Sequence, residues 1–498
     1  MSTTHALLEG MSIALSWPTV MWLVVGIVLG IAIGAIPGIG PNLGMAVVLP
    51  LTLPLGGTNG IILLVGIYSG SMYGGSVAAI LMNVPGTAAA AATTFDGYPL
   101  SRQGKAMLAL SASAFSSASA GFMTIVALIV ISPVLITIVL MFGSPEYFLV
   151  AVLGLSMITI VAQGSIVKGL IAGAFGMLVS TVGVAEMSPE VRYSFGYIGL
   201  YDGIDFVAAI LGIFAVAEML KLASERGSIA RGTIDPDGSP LEGVKAAGSR
   251  WWLLVKSSFI GMFIGSIPGS GAAVSNFVAY SEAVRSSTTP ENFGQGELDG
   301  VVAAESSNNG TVGGSLIPAL SFGIPGSGAT AVLLGGLLMH GLNPGPDLFT
   351  TELSFTYAVF VSLFLGNIVI LVVGLSLITR MEYLTRIDTQ ILIPIVFVLA
   401  ISGAYMLRSN WVDVLTVAAF GVIGYYMFAH NFSIVAFILG IVLGGIAEEN
   451  FLRSLDLSDG SPLIFVDSWP ARILVVLTIL VLVAPVLKAA LERSRGDA

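Results

Sequence analysis

Two motifs rich in glycine and proline are the first residues whose types and spacing could do chemistry. The stretches Gly34–Gly40 and Gly265–Gly271 both read Gly-x-Ile-Pro-Gly-x-Gly, 231 positions apart, and each follows an apolar run. Proline and glycine interrupt helices, and an interruption inside lipid leaves backbone N–H and C=O groups that only protein or water can satisfy. The N-terminus of a broken helix offers N–H groups and partial positive charge to an anion, and unwound carbonyls can bind a cation.

A second pair of motifs follows the first pair in each half. Gly74–Ser76 matches Gly313–Ser315 at an offset of 239, and Pro85–Gly86 matches Pro325–Gly326 at an offset of 240. Two ordered blocks in each half indicate an internal duplication. The alternative is close helix packing through small residues or simple proline kinks. We expect the tips to meet in a substrate site formed by Pro37, Gly38, Gly40, Ser76, Pro85, Gly86, Thr87, Pro268, Gly269, Gly271, Ser315, Pro325, Gly326 and Ser327.

Polar residues within apolar segments provide a second set of candidates. Glu305, Asn308 and Asn309 precede a glycine-rich apolar run, and intramembrane carboxylates and amides are usually functional. Asn42 and Asn276 follow the two Ile-Pro-Gly motifs and are weaker candidates. Their oxygen atoms suit a hard cation such as sodium, and the carboxylate could instead carry a proton. The alternative is that Glu305 and its neighbours form the end of an aqueous loop.

The composition indicates what kind of element holds these residues. Hydrophobic residues make up 55% of the 498-residue chain and charged residues 10%, with a mean hydropathy of +0.96. A soluble protein of this size needs about 25% charged residues on its surface. Unbroken apolar runs of helical length, such as WPTVMWLVVGIVLGIAIG from Trp17, favour helices over the alternating strands of a barrel. We predict an all-α polytopic membrane protein with roughly ten to fourteen transmembrane or re-entrant helices and two inverted repeats that contain broken helices.

Lysine and arginine positions predict the orientation of the repeats. Arg102 and Lys105 follow the first repeat, whereas the basic loop 223–250 precedes the second, and basic loops stay in the cytoplasm. The two copies are therefore expected to be inverted, and Arg285 fits this scheme only if a re-entrant hairpin precedes it. The predicted parts are a first repeat (1–143), scaffold helices (144–222), a cytoplasmic loop (223–250), a second repeat (251–352) and C-terminal scaffold helices (353–498).

Several classes of function receive no support. The chain has no cysteine, which excludes thiol catalysis, disulfides and iron–sulfur or cysteine-ligated zinc sites. The net charge of −10 indicates no nucleic-acid partner, and no Walker A pattern is present. We find no convincing Asp pair, Ser–His arrangement or metal cluster within the apolar segments. The chain is therefore predicted not to be an enzyme and to need no cofactor beyond a coupling ion.

Four stretches carry a resemblance to a known family. They are GAIPGIGP with LPLTLPL, GIYSGSMYGGSVAAILMNVPGTAAAAATTFDGYPLSRQGKA, GSIPGSG, and ESSNNGTVGGSLIPALSFGIPGSGATAVLLGGL. The chain resembles, over essentially its whole length, the large membrane subunit of the bacterial tripartite tricarboxylate transporters. That resemblance implies a permease of the bacterial inner membrane that works with a small four-helix membrane subunit and a periplasmic solute-binding protein. It also implies import of an organic carboxylate driven by a cation gradient rather than by ATP.

Electrostatics favours co-transport with cations. Each negative charge that enters against an inside-negative potential costs about 2.3 kcal/mol per 100 mV. A di- or tricarboxylate therefore needs at least two or three cations, sodium ions or protons, to neutralise this cost. A cation/proton antiporter is the alternative function, because such proteins also use broken helices and intramembrane acids. It would need a pair of buried carboxylates, and Glu305 is the one good candidate in the sequence.

Overall fold

The computed structural model of the chain describes residues 3–161, 165–185, 187–224, 238–377 and 389–496. The first half contains α1 Thr3–Ala14, α2 Trp17–Ala35, α3 Pro41–Val48, α4 Gly57–Met82, α5 Thr93–Arg102, α6 Ala106–Leu140, α7 Ser144–Ser156, α8 Ile158–Val161, α9 Ile166–Ser180, β1 Gly183–Val184, β2 Val191–Arg192, α10 Phe206–Ile210 and α11 Ala217–Ser224. The second half contains α12 Pro240–Gly248, α13 Trp251–Gly265, α14 Gly271–Ser286, α15 Leu298–Phe322, α16 Gly328–Met339, α17 Pro346–Phe349, α18 Leu353–Ser376, α19 Thr389–Arg408, α20 Trp411–Ala429, α21 Ile434–Leu457 and α22 Trp469–Gly496. Short 3₁₀ segments occupy Leu49–Leu55, Ala88–Ala90, Ile198–Leu200, Pro290–Asn292 and Pro462–Val466, and a π-helical turn, Leu211–Val216, joins α10 to α11.

Apolar helices dominate this architecture. Seven described helices are long and apolar enough to cross a membrane, and seven shorter apolar helices bring the total to fourteen. The strands β1 and β2 form one small antiparallel pair. These observations confirm the predicted all-α polytopic class.

Glycines set the pairing of helices within each repeat. In the first repeat Gly26, Gly30 and Gly34 of α2 pack against the backbone of α4 at Leu63, Ile67 and Ser71, in that order. In the second repeat Gly261 and Gly265 of α13 pack against Ser307 and Thr311 of α15. In both pairs the contacts advance in the same direction along both chains, so α2 runs parallel to α4 and α13 runs parallel to α15. A residue with a Cβ atom at these positions would meet backbone, which is why small residues are needed there.

The two repeats run in opposite directions, because α4 and α15 are antiparallel. Along α4, the Tyr68 hydroxyl lies 2.9 Å from Ser315 Oγ, the Met72 carbonyl accepts from Asn308 Nδ2 at 3.0 Å, and Ser76 donates to Glu305. The order on α15 is therefore reversed. The helix pairs α2–α3 and α13–α14 consequently enter the molecule from opposite ends, as an inverted repeat requires.

The pair α13–α14 is a re-entrant hairpin. Lys256 Nζ near the start of α13 lies 3.3 Å from Glu282 Oε1 and 2.8 Å from Ser286 Oγ near the end of α14. Both ends of this hairpin therefore lie at the same end of the molecule, which also carries Arg250 and Arg285. This arrangement satisfies the condition that the sequence analysis placed on Arg285.

Of the predicted boundaries, those after residues 143, 250 and 352 fall between helices, whereas the boundary after 222 falls inside α11. Residues 225–237 of the predicted cytoplasmic loop lie outside the described residues, and part of the remainder forms α12. The division into repeats, loop and scaffold stays a prediction.

Candidate functional site

In each repeat the end of the first helix, α2 or α13, packs against the Pro-Gly segment that follows the next long helix, α4 or α15. In the first repeat Gly86 N donates to the Gly75 carbonyl at 3.1 Å, and a Cβ atom on Gly86 would lie 2.0 Å from the Gly34 carbonyl oxygen. In the second repeat a Cβ atom on Gly326 would lie 2.8 Å from the Gly265 carbonyl oxygen. The same contact is thus made twice, by residues that the duplication pairs with each other.

The tips of both repeats surround one cavity of about 560 Å³. Eight of the predicted substrate-binding residues line it, namely Gly38, Gly40, Pro85, Gly86, Thr87, Gly269, Gly271 and Ser327. The other six do not line it, namely Pro37, Ser76, Pro268, Ser315, Pro325 and Gly326. Of these six, Pro325 and Gly326 hold the second tip, since their carbonyls accept from Gly269 N at 3.2 Å and from Gly271 N at 3.3 Å.

Three helices begin at this cavity, namely α3, α14 and α16. The residues that precede α3 and α14, Gly40 and Ser270, provide no side-chain cap. The N–H groups in the first turn of a helix have no intrahelical acceptor and carry partial positive charge. The α16 terminus differs, because Ser327 Oγ caps it by accepting from Thr330 N at 3.2 Å. Two uncapped helix N-termini on one cavity wall suit an anionic ligand.

Glycine is required at the turns that aim these helices. Gly38 has a φ of 80° and Gly269 a φ of 74°, a backbone conformation that side chains with a Cβ atom rarely adopt. Both residues occupy the same position of the repeated motif. The motif therefore specifies a left-handed turn immediately before the helix that points at the cavity.

Polar side chains complete the cavity wall. Thr87 is 5% exposed, and its Oγ1 atom has no hydrogen-bond partner among the described residues. The Tyr68 hydroxyl contacts Ser315 Oγ at 2.9 Å and Ser327 Oγ at 3.4 Å. It thus links the first repeat to the two serines of the second repeat that were predicted to bind substrate. A buried hydroxyl without a partner is unfavourable unless a ligand or water satisfies it. Thr87 thus points to a bound polar group in this cavity.

A lysine on the cavity wall was not predicted. Lys221 lies in α11, with its Nζ atom 3.2 Å from Glu218 Oε1 and 5.3 Å from the centre of the Phe428 ring. From the sequence, the position of Glu218 near the basic end of its helix predicts a solvated or paired surface residue. The pairing is present, but Glu218 also lines the cavity and its side chain is 14% exposed. In the sequence, the three-residue spacing of Glu218 and Lys221 could only indicate an ion pair on one helix face.

Glu305 is fully buried and surrounded by hydroxyl groups. Ser76 and Ser117 donate to Oε2, the latter at 3.0 Å, and Ser113 donates to the same atom at 3.3 Å. Thr93 donates to Oε1. These four hydroxyls come from α4, α5 and α6, so the Glu305 cluster joins elements of both repeats. The alternative prediction, that Glu305 lies at the end of an aqueous loop, is wrong, because Glu305 has no exposed surface.

None of the predicted asparagines is a described hydrogen-bond partner of the Glu305 side chain. Asn276 bridges the repeats, because its Oδ1 atom accepts from Ala92 N at 2.7 Å and its Nδ2 atom donates to the Ala304 carbonyl at 3.0 Å. Asn308 donates to the Met72 carbonyl, whereas both polar atoms of the buried Asn309 have no partner among the described residues. Asn42 lines the cavity instead. Their role as sodium ligands stays a prediction.

Fold and site together define a class of protein. A polytopic helical bundle with two oppositely directed helix pairs, whose broken tips line one cavity, is an arrangement found in membrane transporters. The chain belongs to the tripartite tricarboxylate transporter TctA family, whose sequence model it matches over residues 20–439.

Two relatives from Agrobacterium vitis are similar to this chain. The "Uncharacterized 52.8 kDa protein in TAR-I ttuC' 3'region" is 33% identical over 416 residues, which cover 82% of this chain and 81% of the relative. The "Uncharacterized protein in TAR-II ttuC' 3'region" is 31% identical over 206 residues, which cover 41% of this chain and 85% of the relative. No solved structure matches the chain.

Proposed function

We propose that the chain is the large permease subunit of a binding-protein-dependent secondary transporter that imports a di- or tricarboxylate, or a related organic acid. The observation that carries this proposal is the cavity at the hairpin tips, where the uncapped N-termini of α3 and α14 face one space together with Lys221. Partial positive charge from two helix N-termini and N–H donors from Lys221, whose charge Glu218 balances, suit a ligand with more than one carboxylate group. The unsatisfied hydroxyl of Thr87 offers a hydrogen bond to the same ligand.

Lys221 receives one carboxylate group of the substrate in this proposal. Glu218 Oε1 lies 3.2 Å from Lys221 Nζ, which occupies one of the three N–H donors of the ammonium group and leaves the others for a substrate carboxylate. The side chain of Lys221 is 37% exposed and lines the cavity, so its ammonium group is accessible to a ligand there. Lys221 therefore acts on affinity for the substrate.

The family name supports the remaining parts of the proposal. A tripartite transporter has two further components, and we assign them as a small four-helix membrane subunit and a periplasmic solute-binding protein. The bacterial inner membrane is the location that such a complex requires. A cation gradient of sodium ions or protons drives import, because a di- or trivalent anion enters against the membrane potential. The antiporter alternative is disfavoured, since the described partners of Glu305 are four hydroxyls and no second carboxylate.

Uptake into proteoliposomes tests the proposal. Vesicles would hold this chain, its small subunit and the binding protein, and radiolabelled succinate, malonate, citrate and tartrate would be offered while sodium, proton and ATP supply are varied separately. We expect ATP-independent uptake of at least one carboxylate. Lys221→Gln should raise the KM several-fold with a smaller effect on kcat, whereas Lys245→Gln on the exposed face of α12 should match the wild type. Cation/proton exchange without carboxylate uptake would favour the antiporter.

A further inference from the structure

The Glu305 cluster is a second polar site, separate from the wall of the cavity. Glu305, Ser76, Thr93, Ser113 and Ser117 all have 0% exposed surface. They lie on four different helices, α15, α4, α5 and α6, so the cluster exists only when both repeats are assembled. The two oxygens of a carboxylate have about four lone-pair sites, so these four hydroxyls fill the acceptor capacity of the ionised acid.

Hydroxyl partners suit a carboxyl group that changes its protonation state. A hydroxyl group is both donor and acceptor, so it can donate to the carboxylate and can accept from the protonated acid after a rotation. Amide N–H groups and basic side chains only donate, so they cannot accept a hydrogen bond from the neutral acid. Every described hydrogen-bond partner of Glu305 is a hydroxyl. The cluster can therefore satisfy both states without moving a helix.

Within the described part of the chain, no basic side chain forms an ion pair with Glu305. The ionisable group that faces it is the Tyr73 hydroxyl on α4. Among the charged groups on the surrounding helices, Asp96 on α5 accepts from Tyr280 on α14 at 2.9 Å and from three backbone N–H groups, and Asp299 on α15 pairs with Arg250. Lys256 on α13 pairs with Glu282 on α14, which also pairs with Arg285, and Arg102 at the end of α5 is exposed. The helix α6 carries no charged residue. A bare carboxylate at this depth costs several kcal/mol, so a proton or another cation must compensate it.

The cluster and the cavity share structural elements. Met72 lines the cavity, and Ser76 follows it by one turn of α4, about 6 Å along the helix axis. The segment that places Thr87 and Ala89 on the cavity wall continues to Thr93, which donates to Glu305. A shift of α4 or of this segment on substrate binding therefore reaches the carboxyl group directly.

We propose that Glu305 and its four hydroxyl partners form the site of one of the coupling ions, and that this ion is a proton. The inference rests on the proposed carboxylate import. Glu305 binds one proton to become the neutral acid and releases it to become the carboxylate once per transport cycle. Ser76 and Thr93 connect this event to the cavity, because α4 and the segment that leads into α5 both line the cavity.

Proton flux and substrate flux measured in the same vesicles test this inference. The reconstituted complex would contain a trapped pH-sensitive dye, in buffer free of sodium, with the carboxylate that the wild type takes up. We expect wild-type uptake to carry protons inward and a pH gradient to drive accumulation. Glu305→Gln should lose accumulation, so that the internal-to-external substrate ratio falls to about 1, while exchange of labelled for unlabelled substrate stays within about threefold of the wild type. Glu242→Gln, on the exposed face of α12, is the matched control and should behave as the wild type.

Each outcome bears on one proposal. Accumulation driven by a pH gradient in Glu305→Gln would overturn the inference, and so would wild-type uptake that requires sodium and moves no protons, although carboxylate import would stand in both cases. Because the wild-type proton measurement needs no variant, the inference remains testable if Glu305→Gln does not fold. Absence of carboxylate uptake and exchange in the folded wild-type complex would instead overturn the proposed function.

Discussion

Alanine at Gly86 perturbs the point where the first repeat closes on itself. The new Cβ atom would lie 2.0 Å from the Gly34 carbonyl oxygen and 2.8 Å from Gly75 Cα. Since a close carbon–oxygen contact in proteins is about 3.3 Å, the loop and α2 would have to separate by roughly 1.3 Å. The obstructing atoms are all backbone, so no rotamer change relieves the clash. Overpacking of this kind costs about 1–3 kcal/mol and occasionally more.

The second repeat and an open position provide a graded comparison. At Gly326 the Cβ atom would lie 2.8 Å from the Gly265 carbonyl oxygen and 2.9 Å from Cα and Cβ of Ser315, so a separation of roughly 0.5–1 Å is needed. At Gly40 no atom lies within 4 Å of the added Cβ, and φ is −87°. Thermal stability should therefore fall most for Gly86→Ala, less for Gly326→Ala and least for Gly40→Ala.

The assay is the temperature at which half of the purified protein leaves the monodisperse peak in size-exclusion chromatography. Uptake by the reconstituted complex should also be lost in Gly86→Ala, because α2 and the Pro85–Gly86 break position the wall of the cavity. Equal midpoints for Gly86→Ala and Gly40→Ala, with wild-type uptake in both, would refute the packing argument. The first tip would then pack against a different part of the chain.

Three further predictions concern single polar contacts. Asn276→Ala leaves the buried Ala92 N–H without its described acceptor and should lower the free energy of unfolding by about 1–3 kcal/mol, seen as a lower thermal midpoint. Asp413→Asn keeps one acceptor oxygen but removes the buried charge beside Arg408, which also lies 3.8 Å from Asp205, and should destabilise the protein by about 1–3 kcal/mol in the same assay; an unchanged midpoint would contradict this. Tyr68→Phe removes the hydroxyl that contacts Ser315, so substrate KM should rise while stability falls by only about 0.5–1.5 kcal/mol.

The sequence predicts the hairpin tips because glycine and proline leave few alternatives. A left-handed turn at Gly38 and Gly269 requires glycine, and an apolar run interrupted there must be shielded by other parts of the protein. The repetition of the pattern then predicts that the tips of both halves serve one site. The cavity at these tips fits this expectation, although the substrate it holds stays a prediction.

Other parts of the site leave little trace in the sequence. Lys221 with Glu218 has the spacing of any ion pair on a helix surface, so only the structure places it on the cavity wall. Ser113 and Ser117 are two of several serines in α6, and only the packing of α6 on α15 brings this pair to Glu305. Contacts between helices that are distant in sequence depend on packing, and periodicity within one helix does not predict them.

Protection of a single cysteine by substrate tests the central claim most directly, namely that the cavity at the hairpin tips binds the transported carboxylate. The natural chain has no cysteine, so Gly40→Cys creates a unique thiol on the cavity wall. Ser249→Cys, exposed at the end of α12, is the control. We expect the carboxylate that the reconstituted complex takes up to slow maleimide labelling of Gly40→Cys and to leave labelling of Ser249→Cys unchanged. Equal labelling rates of Gly40→Cys with and without a saturating concentration of that carboxylate would contradict the claim.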